Sequence, residues 1–159
     1  MALTILGISP GTRIMGLGAI RNGELLEWQV KTFKGSWSKE KLNVIMETIV
    51  SLCDHYQVTD LALKIVSPLR SSKNLVILTN RISEMAEKNK IHLSRFTVHD
   101  LKLKAGPNSK HSVDDMMEFI TEKYPVLKRE YIKERNNLNP YYLKMFEAIA
   151  AALIAEKKR

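Results

Sequence analysis

The chain carries one cysteine in 159 residues. That excludes an internal disulfide and any cysteine-based zinc cluster. Cys53 falls on the apolar face of a predicted helix and reads as a buried thiol. The four histidines, His55, His92, His99 and His111, have no metal-ligand spacing to one another. No apolar run approaches the roughly 18 residues needed to cross a bilayer, so no membrane partner is expected. Residues Met1 to Ile8 have no basic flank and no long apolar region, which argues against a secretory signal and makes a cytoplasmic location the expectation. There is no internal repeat, linker or low-complexity stretch. One domain spanning 1–159 with one sizeable core is the expected organisation.

Charge is what the chain has in excess. Lysine and arginine number 25 against 17 acidic residues, giving a net charge of +8 and a pI near 9.6. Such a surface favours polyanionic partners, because each phosphate contact releases counterions. Charge alone does not separate DNA, RNA and an acidic membrane surface. Lys123, Lys128, Arg129, Lys133 and Arg135 form a basic stretch that reads either as a solvated face or as a nucleic-acid track.

Patterning along the chain predicts an α/β protein. Leu3–Ile8 is a short apolar run suited to a buried strand, broken by Ser-Pro-Gly-Thr-Arg at 9–13. Ile14–Arg21 and Glu24–Phe33 are the next strands, joined by Asn22-Gly23, a hairpin signal because a type I′ turn needs positive φ at both central residues. Lys39–Gln57 has helical periodicity, with Leu42, Ile45, Met46, Ile49, Leu52, Cys53 and Tyr56 on one face. A strand over Thr59–Val66, a helix over Lys73–Asn89, a strand over Ile91–Val98 and a short helix over Asp100–Ala105 follow. Residues 106–109 read as a loop. Ser112 is placed to cap the next helix with Asp115 three residues on. Tyr124–Asn139 reads as a polar connector, and Pro140 suits the first turn of a last helix running to about Glu156. Three strands forming hairpins, then βαβ units, imply a mixed five-stranded sheet flanked by helices.

Several segments carry a resemblance in a consistent order. Gly7-Ile8-Ser9-Pro10-Gly11, with Gly16 and Gly18 after it, resembles the first hairpin of the RuvC Holliday-junction resolvases, where the strand ends in an aspartate. Asp60-Leu61-Ala62-Leu63-Lys64 resembles the family's fourth strand, which ends in glutamate. Ser109-Lys110-His111-Ser112-Val113 resembles the entry to the penultimate helix. Phe146-Glu147-Ala148-Ile149-Ala150-Ala151-Ala152 resembles the alanine-rich core of the last helix. The resemblance implies a ribonuclease H-like fold and spans nearly the whole chain. It also implies that Gly16 and Gly18 admit a nucleic-acid backbone or a metal-bound phosphate, and that Lys110 supports phosphate binding. A homodimer is a further implication.

The departures bear on function. In the family, four carboxylates hold two divalent metal ions. At the matching positions this chain has Ser9, Lys64, Lys144 and Glu147, a set with one carboxylate. Two hard cations need several oxygen ligands and compensating negative charge. Four other acids, Asp60, Asp100, Asp114 and Asp115, are the available substitutes. Asp114 and Asp115 open a helix, where capping suits them. Lys64 and Lys144 have two readings. They stand in for the metal charge and hold phosphate, or Lys144 pairs with Glu147 while Lys64 extends to solvent. The loop 67–73, where the family carries an aromatic wedge, has none. Its apolar residue, Leu69, is a wedge or a plain exposed leucine, and Arg70 and Lys73 suit phosphate.

The resulting expectation is a catalytically inactive RuvC-like protein that binds nucleic acid, branched or duplex DNA foremost. Binding rests on Arg13, Lys64, Arg70, Lys73, Lys110 and Lys144, with no cofactor. Two alternatives stay open. One is an active junction endonuclease with a rearranged Mg²⁺ site. The other is a protein-interaction module that lost nucleic acid.

Overall fold

The computed structural model describes residues 2–67, 69–104 and 112–159. The elements in chain order are β1 (Thr4–Ser9), β2 (Ile14–Arg21), β3 (Glu24–Thr32), α1 (Lys39–Tyr56), β4 (Asp60–Lys64), α2 (Lys73–Lys88), β5 (His92–Phe96), α3 (Val98–Lys104), α4 (Val113–Lys123), a 3₁₀ turn at Pro125–Leu127, α5 (Lys128–Arg135) and α6 (Leu143–Lys158). The five strands form one mixed sheet in the order β3-β2-β1-β4-β5. β1, β2 and β3 are antiparallel neighbours. β4 lies parallel to β1, and β5 parallel to β4. The C-terminal ends of β1, β3, β4 and β5 therefore share one end of the sheet.

Local chemistry accounts for the element boundaries. Asn22 and Gly23 adopt φ of 52° and 77°, the positive pair that a tight hairpin requires. Ser38 caps α1 by accepting a hydrogen bond from Lys41 N, and Ser72 caps α2 by accepting one from Leu75 N. Ser112 and Asp115 form the expected reciprocal capping box at α4.

Two apolar layers sandwich the sheet. On one face, Leu6, Ile8, Met15, Leu17, Leu61 and Leu63 pack against α1 and α2 through Ile45, Ile49, Leu78 and Ile82. On the other face, Ile5, Ile20 and Ala62 pack against α6, which α3 and α4 cover in turn. Every residue of α6 from Met145 to Ala155 is buried. A helix that is apolar all round needs neighbours on all sides, and α6 has the sheet beneath it and helices above.

Three sequence readings need correction. The stretch after Tyr124 is not a plain connector, for it holds the 3₁₀ turn and α5. Its amphipathic signal is weak because α5 offers little apolar surface. Pro140 does not open the last helix, which begins at Leu143. Its cap comes from elsewhere in the chain. The buried Glu134 of α5 accepts hydrogen bonds from Tyr141 N and Tyr142 N, the latter at 2.8 Å. A carboxylate satisfies orphan N–H groups and meets the positive end of the helix dipole.

The third correction concerns the glycines. A Cβ on Gly7 would run into the Ala148 carbonyl, one on Gly16 into the Lys144 carbonyl, and one on Gly18 would lie 2.6 Å from Ile149 Cγ1. Gly7 pairs with Gly18, and Ser9 with Gly16, across the β1–β2 ladder. These glycines form a flat bed for α6. What comes close to Gly16 and Gly18 is the protein's own helix, not a nucleic-acid backbone.

Candidate nucleic-acid interface

The four positions singled out by the resemblance converge in the structure. Ser9 ends β1, Lys64 ends the adjacent parallel β4, and Lys144 and Glu147 occupy the first turns of α6 above them. Seating α6 on the glycine bed brings Glu147 down onto the sheet. Glu147 is 4% exposed and Ser9 is fully buried. The Ser9 hydroxyl donates to Glu147 Oε1 at 2.8 Å, and the Lys64 ammonium lies 3.4 Å from Glu147 Oε2. Both carboxylate oxygens thus have partners. A hydrogen bond to a charged acceptor of this kind contributes about 1.5–3 kcal/mol.

Neither lysine follows the structural reading of the sequence, in which Lys144 pairs with Glu147 and Lys64 extends to solvent. Lys64 pairs with Glu147, while Lys144 Nζ donates to the Pro10 carbonyl at 3.3 Å, in the β1–β2 turn. The reason is reach. Lys64 enters from the sheet beneath the carboxylate, whereas Lys144 lies one turn earlier on α6, beside the turn. Burial, and after it the nearby Lys64 charge, hold the Lys144 amine below the usual lysine range, and Glu147 opposes the shift.

The residues do not fit a two-metal centre. The donor set is one carboxylate, one hydroxyl and two amines, and the carboxylate is already engaged. The four substitute acids lie elsewhere. Asp60 is buried at the opposite end of β4, where Arg159 approaches it at 3.2 Å. Asp100 accepts from Thr97 N at 2.9 Å at the start of α3, which holds its carboxyl below the usual range. Asp114 lies 3.6 Å from Arg135, and Asp115 caps α4. Among the described residues, no group of three or more His, Cys, Asp and Glu side chains is arranged to hold a metal ion.

Around this centre, the loops at the C-terminal ends of the strands form a basic rim. Arg13 is exposed in the β1–β2 turn, and Arg70 and Lys73 are exposed between β4 and the first turn of α2. Lys64 and Lys144 lie between them. Lys110 and His111 fall outside the described residues. Leu69 is 97% exposed, and so is a free-standing leucine at the rim. Cys53 is buried, with its thiol pushed up to about 12 by desolvation. It is remote from the rim, on the face packed by α1. No helix among the described residues is long and apolar enough to cross a membrane.

Sequence reasoning missed three residues at this end. Lys34, Trp37 and Lys41 line an open groove together with Arg13. Their signal was available as a cluster of cations and an aromatic at the end of β3, but only the β2–β3 pairing, which sets Thr32 opposite Ile14, brings that loop beside Arg13.

The sheet order and the position of α6 define a RuvC-like ribonuclease H fold. Two solved structures from Thermus thermophilus share it. RuvC in complex with a Holliday junction substrate superposes with a TM-score of 0.67 at 15% identity, covering 96% of this chain and 91% of that one. A second RuvC structure gives 0.65 at 17% identity, covering 96% and 92%. At these identities the likeness is one of fold. No family model matches the sequence, and no curated protein matches it.

Proposed function

We propose that this chain is a non-catalytic nucleic-acid-binding protein built on the RuvC fold, with branched or duplex DNA as its foremost ligand. The observation that carries the reading is the occupancy of Glu147. Its two oxygens are taken by Ser9 and Lys64, so the carboxylate already has the protein's own ammonium as its counter-ion. Loss of hydrolysis does not entail loss of binding, because phosphate contacts depend on a different set of groups. Arg13, Arg70 and Lys73 retain positive charge along one end of the sheet, Lys64 and Lys144 line its centre, and Lys110 belongs to the same reading on sequence grounds. A similarly folded RuvC is known bound to a Holliday junction substrate. The reading includes a single domain over 1–159, a cytoplasmic location and a homodimer.

The test is a titration against four-way junction, duplex and single-stranded DNA and RNA at two salt concentrations, with and without Mg²⁺, with cleavage scored in parallel. Affinity should fall steeply with salt, as several phosphate contacts require, and no strand should be cut. Junction cleavage that Glu147→Gln abolishes would replace this reading with a rearranged enzyme. Absence of salt-dependent binding would replace it with an interaction module.

A further inference from the structure

The open groove beside the β1–β2 turn belongs to neither the Glu147 centre nor the α2 end of the rim. It encloses about 810 Å³ and is walled by Arg13, Phe33, Lys34, Trp37 and Lys41, with Thr12, Ser36 and their neighbours completing it. This volume lies within the roughly 300–1,000 Å³ typical of small-ligand sites. Among the described residues, the lining includes three cations, one indole and no carboxylate. Arg13 and Lys34 are exposed, and Trp37 is half-buried against the layer under α1.

The walls are fixed to each other. Phe33 N donates to the Arg13 carbonyl at 2.8 Å, joining the end of β3 to the β1–β2 turn. Lys41, 8% exposed, donates from its ammonium to the Gly35 carbonyl at 2.7 Å and so ties the β3–α1 loop to α1. Lys41 is thus a positioning residue whose charge adds to the local potential, while the Arg13 and Lys34 side chains stay exposed for contacts.

We infer that this groove is a subsite for an unpaired nucleotide of a nucleic-acid strand, with the base against Trp37 and the flanking phosphates on Arg13 and Lys34. The inference deepens the proposed nucleic-acid binding and rests on it. An indole supplies a face on which any base stacks, and adjacent cations track the backbone; together these are the components of sequence-tolerant single-strand binding. A duplex presents its bases already stacked, so it would engage the cations and leave the indole unused. The subsite would supply, from a different loop, an aromatic contact for opened strands that loop 67–73 lacks.

The experiment follows the two indole N–H resonances of the ¹⁵N-labelled full chain, Trp28 and Trp37, assigned with Trp37→Phe. Short oligothymidine, oligouridine and a blunt duplex are titrated in turn. The Trp37 resonance should shift with either single strand and much less with duplex, while Trp28, on the opposite face of the sheet, should stay in place. Trp37→Leu should weaken single-strand binding roughly 5- to 150-fold, the range of one lost base stack, and Trp37→Phe should retain most of it. Arg13→Glu with Lys34→Glu, both exposed and hence safe for folding, should weaken single-strand and duplex binding alike, whereas Trp37→Leu should weaken single-strand binding selectively. A Trp37 resonance unmoved at single-strand saturation, or unchanged single-strand affinity in the Arg13/Lys34 variant, would overturn the subsite and leave binding at the rest of the rim intact. Failure of every nucleic acid to bind would overturn both readings.

Discussion

The hydroxyl of Ser9 donates a hydrogen bond to Oε1 of Glu147 across a sequence separation of 138 residues, at 2.8 Å and out of contact with solvent. Lys64 occupies the other oxygen. This joins the end of the first strand, the end of the fourth and the last helix into one buried polar cluster. Removing the charge on Glu147 leaves Lys64 and Lys144 as neighbouring cations with no anion. Glu147→Gln should therefore destabilise the fold by about 3 kcal/mol, at the lower end for breaking a buried pair because the Lys64 side chain is 15% exposed. Denaturant unfolding of Glu147→Gln, Lys64→Met and the double variant forms a cycle. The double variant should lose clearly less than the sum of the single losses. Additive losses would mean that the pair is not coupled.

A second prediction follows from the helix bed. Gly7→Ala places a methyl group against the Ala148 carbonyl, and Gly16→Ala places one against the Lys144 carbonyl. Backbone cannot move aside as a flexible side chain can. Each change should cost 3 kcal/mol or more, at or above the upper end of the usual roughly 1–3 kcal/mol for overpacking. Thermal melts decide it. Wild-type stability in either variant would show that α6 is not seated as described.

The amine of Lys144 gives a pH signature. Its folded-state pKa lies below the unfolded value of 10.5, first through burial and then through Lys64. The charged form therefore carries a penalty that is full below the folded pKa and fades as pH rises toward the unfolded pKa. Lys144→Met removes that penalty. It should raise the unfolding midpoint relative to wild type at neutral pH, and the advantage should shrink toward pH 10.5. A constant difference across that window would assign the effect to packing alone.

Glu134 offers a test of how α6 begins. Its carboxylate accepts from Tyr141 N and Tyr142 N while itself buried. Glu134→Ala should cost about 0.5–2 kcal/mol, the range for loss of a helix cap. Hydrogen exchange at Tyr141 and Tyr142 should accelerate with it. Unchanged protection at those amides would remove the capping role.

Metal affinity tests the donor-set argument from the other side. Wild-type protein should show no saturable Mg²⁺ or Mn²⁺ binding at the Glu147 centre by calorimetry. Ser9→Asp, Lys64→Glu and Lys144→Asp together assemble four carboxylates on a scaffold that already places the four positions side by side. This variant should bind divalent cations. A wild-type chain that binds as tightly as the variant would show that one carboxylate suffices.

Much of this was legible in the residues themselves. The β2 bounds, the Asn22-Gly23 hairpin and the Ser112–Asp115 capping box follow from short-range pattern, because each depends on φ preferences or on partners within a few positions. The order of motifs was enough to place Ser9, Lys64, Lys144 and Glu147 together. It was not enough to say which lysine meets the carboxylate. Two ammonium groups on four-carbon stems reach similar distances, and only the approach directions from β4 and α6 distinguish them.

The sequence by itself determined the five strands and the longer helices, the net positive charge, and the presence of Ser9, Lys64 and Lys144 where the resemblance implies carboxylates, since local periodicity, residue identity and motif order carry these in turn. The tertiary structure decided what those residues touch. It gave the glycines to α6 rather than to a ligand, the cap of α6 to a glutamate on α5, and Lys34 and Trp37 to the same groove as Arg13. Each of these is a contact between segments far apart in the chain. Its partner is set by strand order and by the depth at which α6 packs, and no local window of the sequence contains either.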